Sequence, residues 1–342
     1  MPRLRRSNVN GPGIARRRCG RGFSYRWPNG SRVTDQSVVD RIRDLAVPPA
    51  WKEVWICPWP NGHIQALGTD AAGRRQYRYH DAWRWQRDQA KFDRVLDFGR
   101  ALPALRKTVA EDLRGRGLTQ RRVTAVGVRL LDIGCFRVGN TEYAEEHETY
   151  GIATLRVEHV TMRRHEVEFA YSAKGSIERV VTVTDAEVRR AVSSLCRRRA
   201  PADELLAWRD KDAWVTVGAA GLNDYIKAEA GEEFSAKDFR TWSGTVYAAT
   251  ELARATAGNS SQRRRQRSIA TAMKEVAQYL GNTPAVCRSS YVDPRIIDCF
   301  ESGDTIAAAL KRVGDEQDRY TMQCAVEGAV LDLLGASVAA VA

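Results

Sequence analysis

The period of the hydrophobic pattern changes once along the chain, near residue 80, and this change most constrains the fold. Before it, residues 23–79 contain short runs of aromatic and β-branched residues, with Pro-Asn-Gly turn signals at 28–30 and 60–62. After it, apolar residues recur three and four positions apart, as on one face of an α-helix. The sequence therefore predicts an α+β fold, in which a small β-rich N-terminal domain precedes a mostly helical domain.

The local patterns predict the individual elements. In the N-terminal part we expect a helix at residues 36–45 and strands at 54–56, 63–67 and 76–79. The second part is predicted to contain helices at 81–99, 102–113 and 123–133, then strands at 155–157, 166–171 and 177–183, with a turn at Lys174-Gly175. Beyond residue 184 we expect helix nearly to the end, including a helix that a capping box opens at 235–238, a loop at 258–261 and a helix at 263–280.

Charge is unevenly distributed. The chain has 54 Lys and Arg against 42 Asp and Glu, and the net charge of +12 suggests a polyanionic partner such as nucleic acid. Nine arginines and no acid lie in residues 1–34, which leaves only +3 for the remaining 308 residues. We expect residues 1–22 to form a flexible basic arm that either tracks phosphate or only solubilises the chain. The predicted domains are then 23–86, β-rich, and 87–342, mainly helical and catalytic.

Several function classes are excluded by what the sequence lacks. No run approaches the roughly 18 apolar residues of a membrane span, so we expect a soluble protein without a membrane partner. The seven cysteines form no CxxC pair and the five histidines show no metal-ligand spacing, which argues against a disulfide framework or a metal site and for a cytoplasmic location. There is no GxxxxGKS or GxxxxGKT loop and no GxGxxG after a strand, so we expect no nucleotide or other cofactor.

Three segments carry cations in positions that are unusual for a structural core. Arg137 follows an apolar helix and precedes Gly139, and Lys174 lies at the tip of its hairpin. Lys237 and Arg240 share one helical face near a helix start. Each segment on its own is more typical of a buried stem, a surface ion pair or a solvated turn than of a catalytic site.

A fourth segment, residues 280–291, places Tyr291 nine residues after Asn282, which lies in a Gly-Asn-Thr-Pro turn. In their order and spacing, the four segments resemble the type IB DNA topoisomerases, in the small form of bacteria and poxviruses. The runs at 48–51, 62–66 and 73–80 extend this resemblance into the N-terminal domain, so that it covers about residues 23–294.

The resemblance implies a reaction without ATP or metal, in which Tyr291 attacks a DNA phosphodiester and becomes joined to the 3′ phosphate. Arg137 and Arg240 would bind the nonbridging phosphate oxygens, and Lys174 would protonate the departing 5′ oxygen. Asn282 stands where poxviral and nuclear members have His. An amide can donate a hydrogen bond but cannot titrate, so we expect Asn282 only to hydrogen-bond the transition state.

The resemblance also implies the DNA contacts of a clamp around the duplex. Gln76, Tyr77 and Tyr79 lie on the strand that faces the major groove in relatives. Lys237 is expected to contact backbone phosphate, and Gly139 belongs to the Arg-x-Gly segment at the DNA. The family implies a monomer with double-stranded DNA as its partner, located at the nucleoid.

Two alternatives stay open at this point. A tyrosine recombinase or integrase shares the nucleophilic tyrosine, but typically carries His-x-x-Arg where this chain has Lys237-Asp238-Phe239-Arg240, and has a helical N-terminal domain. A non-catalytic DNA-binding clamp would have no need of a phenol at position 291.

Overall fold

The structure is a computed structural model that describes residues 3–198, 203–255, 261–313 and 319–341. The chain divides into two compact units, Met1–Phe92 and Asp93–Ala342. The division lies six residues beyond the boundary that the sequence predicts, inside a single long helix. An antiparallel sheet in the first unit and a mostly helical second unit confirm the α+β prediction.

The first unit is a five-stranded antiparallel sheet in the order β2-β1-β3-β4-β5. Its elements are β1 (Ile14–Cys19), β2 (Gly22–Arg26), α1 (Gln36–Asp44), β3 (Lys52–Ile56), β4 (Ile64–Thr69) and β5 (Arg75–Tyr79). Asp35 caps α1 by accepting a hydrogen bond from the amide of Ser37 at 2.9 Å. A small core forms around Ile42, Val54 and Ile56. The sheet leaves β5 at its edge.

The prediction of a flexible arm is wrong. Arg5 forms an isolated bridge with Gly62, and Ile14–Cys19 is a strand between β2 and β3. Ile14 is fully buried in the sheet core. The guanidinium of Arg16 donates to the carbonyl oxygens of Pro48 (3.1 Å) and Trp51 (2.6 Å). An arginine side chain can donate to backbone carbonyl oxygens while its aliphatic part packs on the protein. A run of arginines can therefore form a strand, although its composition is typical of a solvated tail.

The second unit contains a long helix, a three-stranded sheet and a helical bundle. Its elements are α2 (Asp81–Arg114), α3 (Gln120–Gly134), α4 (Thr141–His147), β6 (Val160–Met162), β7 (Val167–Ala173), β8 (Ile177–Val183), α5 (Ala186–Cys196), β9 (Ala207–Asp210), β10 (Ala213–Thr216), α6 (Ala219–Ala230), α7 (Ala236–Ala255), α8 (Gln262–Leu280), α9 (Pro284–Ser290), α10 (Pro294–Ser302), α11 (Ala307–Val313) and α12 (Arg319–Val341). In the described ranges, no helix is long and apolar enough to cross a membrane.

Some element predictions differ from the structure. The helices expected at 81–99 and 102–113 are one helix that continues through Pro103. Residues 155–157 contain an isolated bridge and the start of a 3-10 turn rather than a strand, because the apolar run is too short to pair. The hairpin of β9 and β10 was not predicted. Residues 258–260 of the expected loop lie outside the described residues.

A buried ion network fixes the end of α3, where the site begins. Arg106 on α2 donates to both carboxylate oxygens of Asp132 on α3, at 2.9 and 2.8 Å. It also donates to both oxygens of Glu327 on α12, at 2.6 and 2.8 Å. All three residues are buried, and the pairing offsets the cost of removing their charges from water. The network therefore joins three helices immediately before the segment that carries Arg137.

Candidate active site

The turn between α8 and α9 is where several of the predicted site residues meet. Gly281 ends α8 with φ +60°, a left-handed conformation that glycine adopts without steric cost. Thr283 then caps α9 by accepting a hydrogen bond from the amide of Val286 at 3.4 Å, and Pro284 occupies the first helical position. Asn282 lies in this turn, and Tyr291 follows the last residue of α9.

Arg137 reaches the turn from the segment after α3. Its Nη2 donates to the carbonyl oxygen of Gly281 at 2.8 Å and to Oδ1 of Asn282 at 2.7 Å. Burial and the neighbouring charge of Arg240 lower the pKa of Arg137, although a guanidinium stays charged at neutral pH. Gly139 has φ +87°, and a β-carbon there would lie 3.0 Å from the α-carbon of Gly151. The Arg-x-Gly spacing thus allows the chain to turn tightly behind Arg137.

Arg240 lies in the first turns of α7 and is only 4% exposed. The carboxylate of Asp238 accepts hydrogen bonds from the amide and the hydroxyl of Ser235, both at 2.9 Å, as the capping box predicts. Nη1 of Arg240 donates to the carbonyl oxygen of Cys135 at 2.5 Å, and Nη2 donates to that of Leu280 at 2.7 Å. One side chain therefore joins the C-terminal ends of α3 and α8.

Tyr291 lies beside Arg240. The Cζ atom of Arg240 is 5.3 Å from the centroid of the tyrosine ring. The amide of Tyr291 donates to the carbonyl oxygen of Cys287 at 2.9 Å, which fixes the backbone at the end of α9. The ring is half-buried. These contacts place the tyrosine ring next to the buried guanidinium of Arg240.

Asn282 presents an unused donor. Its Oδ1 atom accepts the hydrogen bond from Arg137, so the amide group is held in one orientation. Its Nδ2 atom is buried, and no partner for it occurs in the described part of the chain. A buried N–H without a partner is costly, and an anionic oxygen would satisfy it. This geometry suits the hydrogen-bonding role expected of Asn282.

The structure does not bring every predicted residue to this turn. Lys174 is exposed at the β7–β8 turn. Within the described residues, no hydrogen bond or ion pair joins Lys174 to Arg137. Lys237 is exposed three residues before Arg240. On β5, Tyr77 and Tyr79 share one exposed face with their rings stacked at 5.9 Å.

Gln76 lies on the opposite face of β5 from these tyrosines, because side chains alternate along a strand. Its Nε2 atom donates to Oδ2 of Asp70 at 2.9 Å.

Sequence reasoning missed residues that hold Tyr291 in place. A β-carbon at Gly244, on α7, would lie 2.7 Å from the carbonyl oxygen of Tyr291, so α7 approaches this backbone closely. Next to it, the hydroxyl of Thr245 accepts a hydrogen bond from the amide of Asp293 at 3.1 Å. A Gly-Thr pair in the middle of a helix only weakly indicates a close contact. The partner of Thr245, Asp293, lies 48 residues away in the sequence.

Comparison with known proteins identifies the family. The family model of the eukaryotic DNA topoisomerase I catalytic core matches residues 80–313, more than half of the chain. The chain belongs to the type IB DNA topoisomerase family. The model of the bacterial DNA topoisomerase IB N-terminal domain matches residues 22–70 of the same chain.

Individual relatives agree with this assignment. The chain is 30% identical over 297 residues to the DNA topoisomerase 1B of Acanthamoeba polyphaga mimivirus. The aligned region covers 85% of this chain and 88% of the viral protein. The chain is 20% identical to the DNA topoisomerase 1B of vaccinia virus over 73% of this chain and 76% of the viral protein. DNA topoisomerase 1 beta of Arabidopsis thaliana is 24% identical over 57% of this chain, which spans 21% of the plant protein.

These matches confirm the prediction of a type IB DNA topoisomerase made from the four motifs. The protein is therefore an enzyme of the isomerase class that acts on DNA. The topoisomerase assignment is favoured over a recombinase and over a non-catalytic clamp.

Proposed function

We propose that this topoisomerase cuts one strand of duplex DNA with Tyr291, allows the cut strand to swivel about the intact one, and reseals it. The observation that carries the proposal is the convergence of Arg137, Arg240 and Asn282 on one turn, with Tyr291 beside Arg240. We call Arg137, Arg240 and Asn282 the phosphate clamp.

The phosphate clamp stabilises the charge that develops on the nonbridging oxygens. A guanidinium has five N–H donors, and the backbone contacts of Arg137 and Arg240 leave some of them for phosphate. The contacts to carbonyl oxygens hold both groups in place before DNA binds. Such preorganisation lowers the barrier, because the donors need no rearrangement as charge develops.

Proton transfers complete the chemistry. The phenol of Tyr291 releases its proton to solvent as its oxygen bonds to phosphorus and the bond from phosphorus to the 5′ oxygen breaks. Lys174 gives a proton to that oxygen, which leaves as a 5′ hydroxyl. In religation the 5′ hydroxyl attacks phosphorus and Lys174 takes its proton back. The bond from phosphorus to Tyr291 breaks, and the departing phenolate regains a proton from solvent. The phosphoester energy is conserved, so the cycle consumes no ATP.

The remaining predicted residues bind DNA in this proposal. The stacked, exposed rings of Tyr77 and Tyr79 offer a contact surface on β5. Gln76 lies on the opposite face, so it reads base edges only after it releases Asp70 and its side chain turns past the strand toward the tyrosines. Lys237 is exposed for a phosphate contact, and Gly139 lets the Arg-x-Gly segment turn tightly beside Gly151, next to the DNA in this proposal. We further propose that the enzyme works as a monomer at the nucleoid, in the cytoplasm.

Relaxation of a plasmid tests the proposed reaction. Negatively supercoiled plasmid without any paired recombination sites should be relaxed completely by catalytic amounts of the enzyme, with EDTA present and ATP absent. Agarose gels measure the topoisomer distribution over time. A requirement for ATP or a divalent metal, or recombination between paired sites without relaxation, would contradict the proposal.

Replacement of Asn282 by His tests the role of the amide. Because an imidazole N–H can replace the buried Nδ2 donor, Asn282→His should change the single-turnover cleavage rate by less than about tenfold near neutral pH. Asn282→Ala removes the donor and should slow cleavage by about a hundredfold. The histidine variant should also gain a pH dependence between about pH 5 and 8 that the wild type lacks. Complete inactivity of Asn282→His would refute the role.

A further inference from the structure

Three successive carbonyl groups at the C-terminal end of α8 each accept a hydrogen bond from a different arginine. The pairs are Tyr279 O with Arg179 Nη2 at 3.1 Å, Leu280 O with Arg240 Nη2 at 2.7 Å, and Gly281 O with Arg137 Nη2 at 2.8 Å. The last carbonyls of a helix lack intrahelical partners and carry its partial negative charge, so cations are stabilised there. Two of these arginines belong to the phosphate clamp, and the third has no role so far.

Arg179 lies on the same hairpin as Lys174. It is the third residue of β8, and it pairs across the hairpin with Tyr171 of β7. The strand order β6-β7-β8 leaves β8 at the edge of its sheet. The hairpin tip, which carries Lys174, is therefore supported by β7 on one side and by the hydrogen bond from Arg179 to α8 on the other.

The guanidinium of Arg179 also packs directly on the turn that holds the phosphate clamp. A β-carbon at Gly281 would overlap Nη1 of Arg179, so this glycine is needed for the contact as well as for its positive φ. Nη1 is buried, and no partner for it occurs in the described residues. Gly281 thus has Arg179 against its α-carbon and Arg137 on its carbonyl oxygen.

The three cations influence one another. Burial and then Arg240 lower the pKa of Arg137, and Arg179 lowers it further. The like charges are held together by the helix carbonyls, and a bound phosphate would relieve their repulsion. Arg179 therefore lies near Arg137 of the phosphate clamp as well as on the hairpin.

From this geometry we infer that Arg179 is a positioning residue that ties the Lys174 hairpin to the α8–α9 turn and so aligns the general acid with the phosphate clamp. The inference rests on the proposed roles of Lys174 and the clamp. A general acid must come within about 2.6–3.2 Å of the 5′ oxygen while the clamp holds the nonbridging oxygens of the same phosphate. An exposed turn alone does not fix that distance, and a hydrogen bond from the hairpin to the clamp turn reduces the motion that separates them.

A leaving-group substitution separates this role from simple helix capping. Two duplex oligonucleotides carry a cleavage site mapped by trapping the covalent adduct, one with the normal 5′ oxygen and one with sulfur in its place. A thiolate leaves without a proton, so cleavage of the sulfur substrate does not need the general acid. Arg179→Met should cleave the oxygen substrate about ten- to a hundredfold more slowly than the wild type, and the sulfur substrate within about threefold.

Two further variants calibrate the measurement. Lys174→Ala should show the same selective loss, about a hundredfold or more on oxygen alone. Arg189→Met removes an arginine on α5 whose Nε donates to the carbonyl oxygen of Arg163, also at 3.1 Å, and should match the wild type on both substrates. Equal losses on both substrates by Arg179→Met, or no loss on either, would overturn the inference.

Amide hydrogen exchange tests whether Arg179 restrains the Lys174 hairpin, and the measurement does not depend on DNA cleavage. Exchange at residues 173–177 of the full chain should be faster in Arg179→Met than in the wild type by about tenfold, because local opening becomes easier. Unchanged exchange there would overturn the inference. If Lys174→Ala stays slow on the sulfur substrate, the general-acid role itself fails, and this exchange measurement still decides whether Arg179 holds the hairpin.

Discussion

Tyr291→Phe is expected to abolish both the covalent protein–DNA adduct and plasmid relaxation, with a rate loss of more than about 10⁴-fold, as for removal of other nucleophiles. Phenylalanine keeps the ring beside Arg240 and the backbone hydrogen bond to Cys287, and loses only the oxygen that is proposed to attack phosphorus. DNA affinity should therefore stay within about twofold, since phosphate contacts from cations dominate it. Denaturing gels of a labelled duplex measure the adduct, and gel shift measures affinity.

Tyr247→Phe is the matched control for this variant. Tyr247 is a half-buried tyrosine of α7 whose ring stacks on Tyr279 at 4.7 Å, and its phenol has no part in the proposed reaction. It should form adduct at nearly the wild-type rate. An adduct that persists in Tyr291→Phe would show that another residue is the nucleophile.

The site residues that sequence analysis placed together share a local signature. Arg137, Arg240 and Asn282 each follow a helix end or begin a helix, where glycine, capping residues and proline mark the chain. Such signals depend only on neighbours within a few positions. Their convergence on one turn in the structure agrees with the family resemblance, while their individual roles stay proposals.

Arg179 shows what local patterns could not reveal. It lies inside an ordinary β-branched strand, and its partner is the backbone carbonyl of Tyr279, 100 positions away in the sequence. Every residue has a backbone carbonyl, so the residue type at position 279 does not indicate that its carbonyl oxygen accepts a hydrogen bond from Arg179. The hydrogen bond from the amide of Asp293 to the hydroxyl of Thr245, next to Tyr291, was missed for a similar reason, because every residue type except proline has a backbone amide.

The fold was predictable to a similar extent. Turn and capping signals correctly placed α1 and most strands of the first unit, because they act locally. The sequence failed at β1, where arginines with backbone partners look like a solvated tail, and at the β9–β10 hairpin, where a two-residue turn joins very short strands. In both places the strand forms because of long-range pairing rather than local propensity.

Arg240→Lys should slow single-turnover cleavage by about a thousandfold while DNA affinity changes little. Lysine keeps the positive charge but has one nitrogen, which cannot bind the carbonyl oxygens of Cys135 and Leu280 and a phosphate oxygen with the geometry of the planar guanidinium. Arg240 is 4% exposed, so a misplaced ammonium would also lack solvent to complete its hydrogen bonds. Rapid-quench measurement of adduct formation gives the rate.

Stability must be separated from chemistry in this variant, because Arg240 joins the ends of α3 and α8. Loss of one backbone hydrogen bond should lower the free energy of unfolding by about 1–3 kcal/mol, which leaves a protein of ordinary stability folded at 25 °C. Thermal unfolding measures that loss. Arg254→Lys, at an arginine of α7 that pairs with Glu251 at 2.8 Å, should keep the wild-type cleavage rate. If Arg240→Lys is destabilised yet cleaves within about threefold of the wild type, the guanidinium holds the two helix ends and does not act on the phosphate.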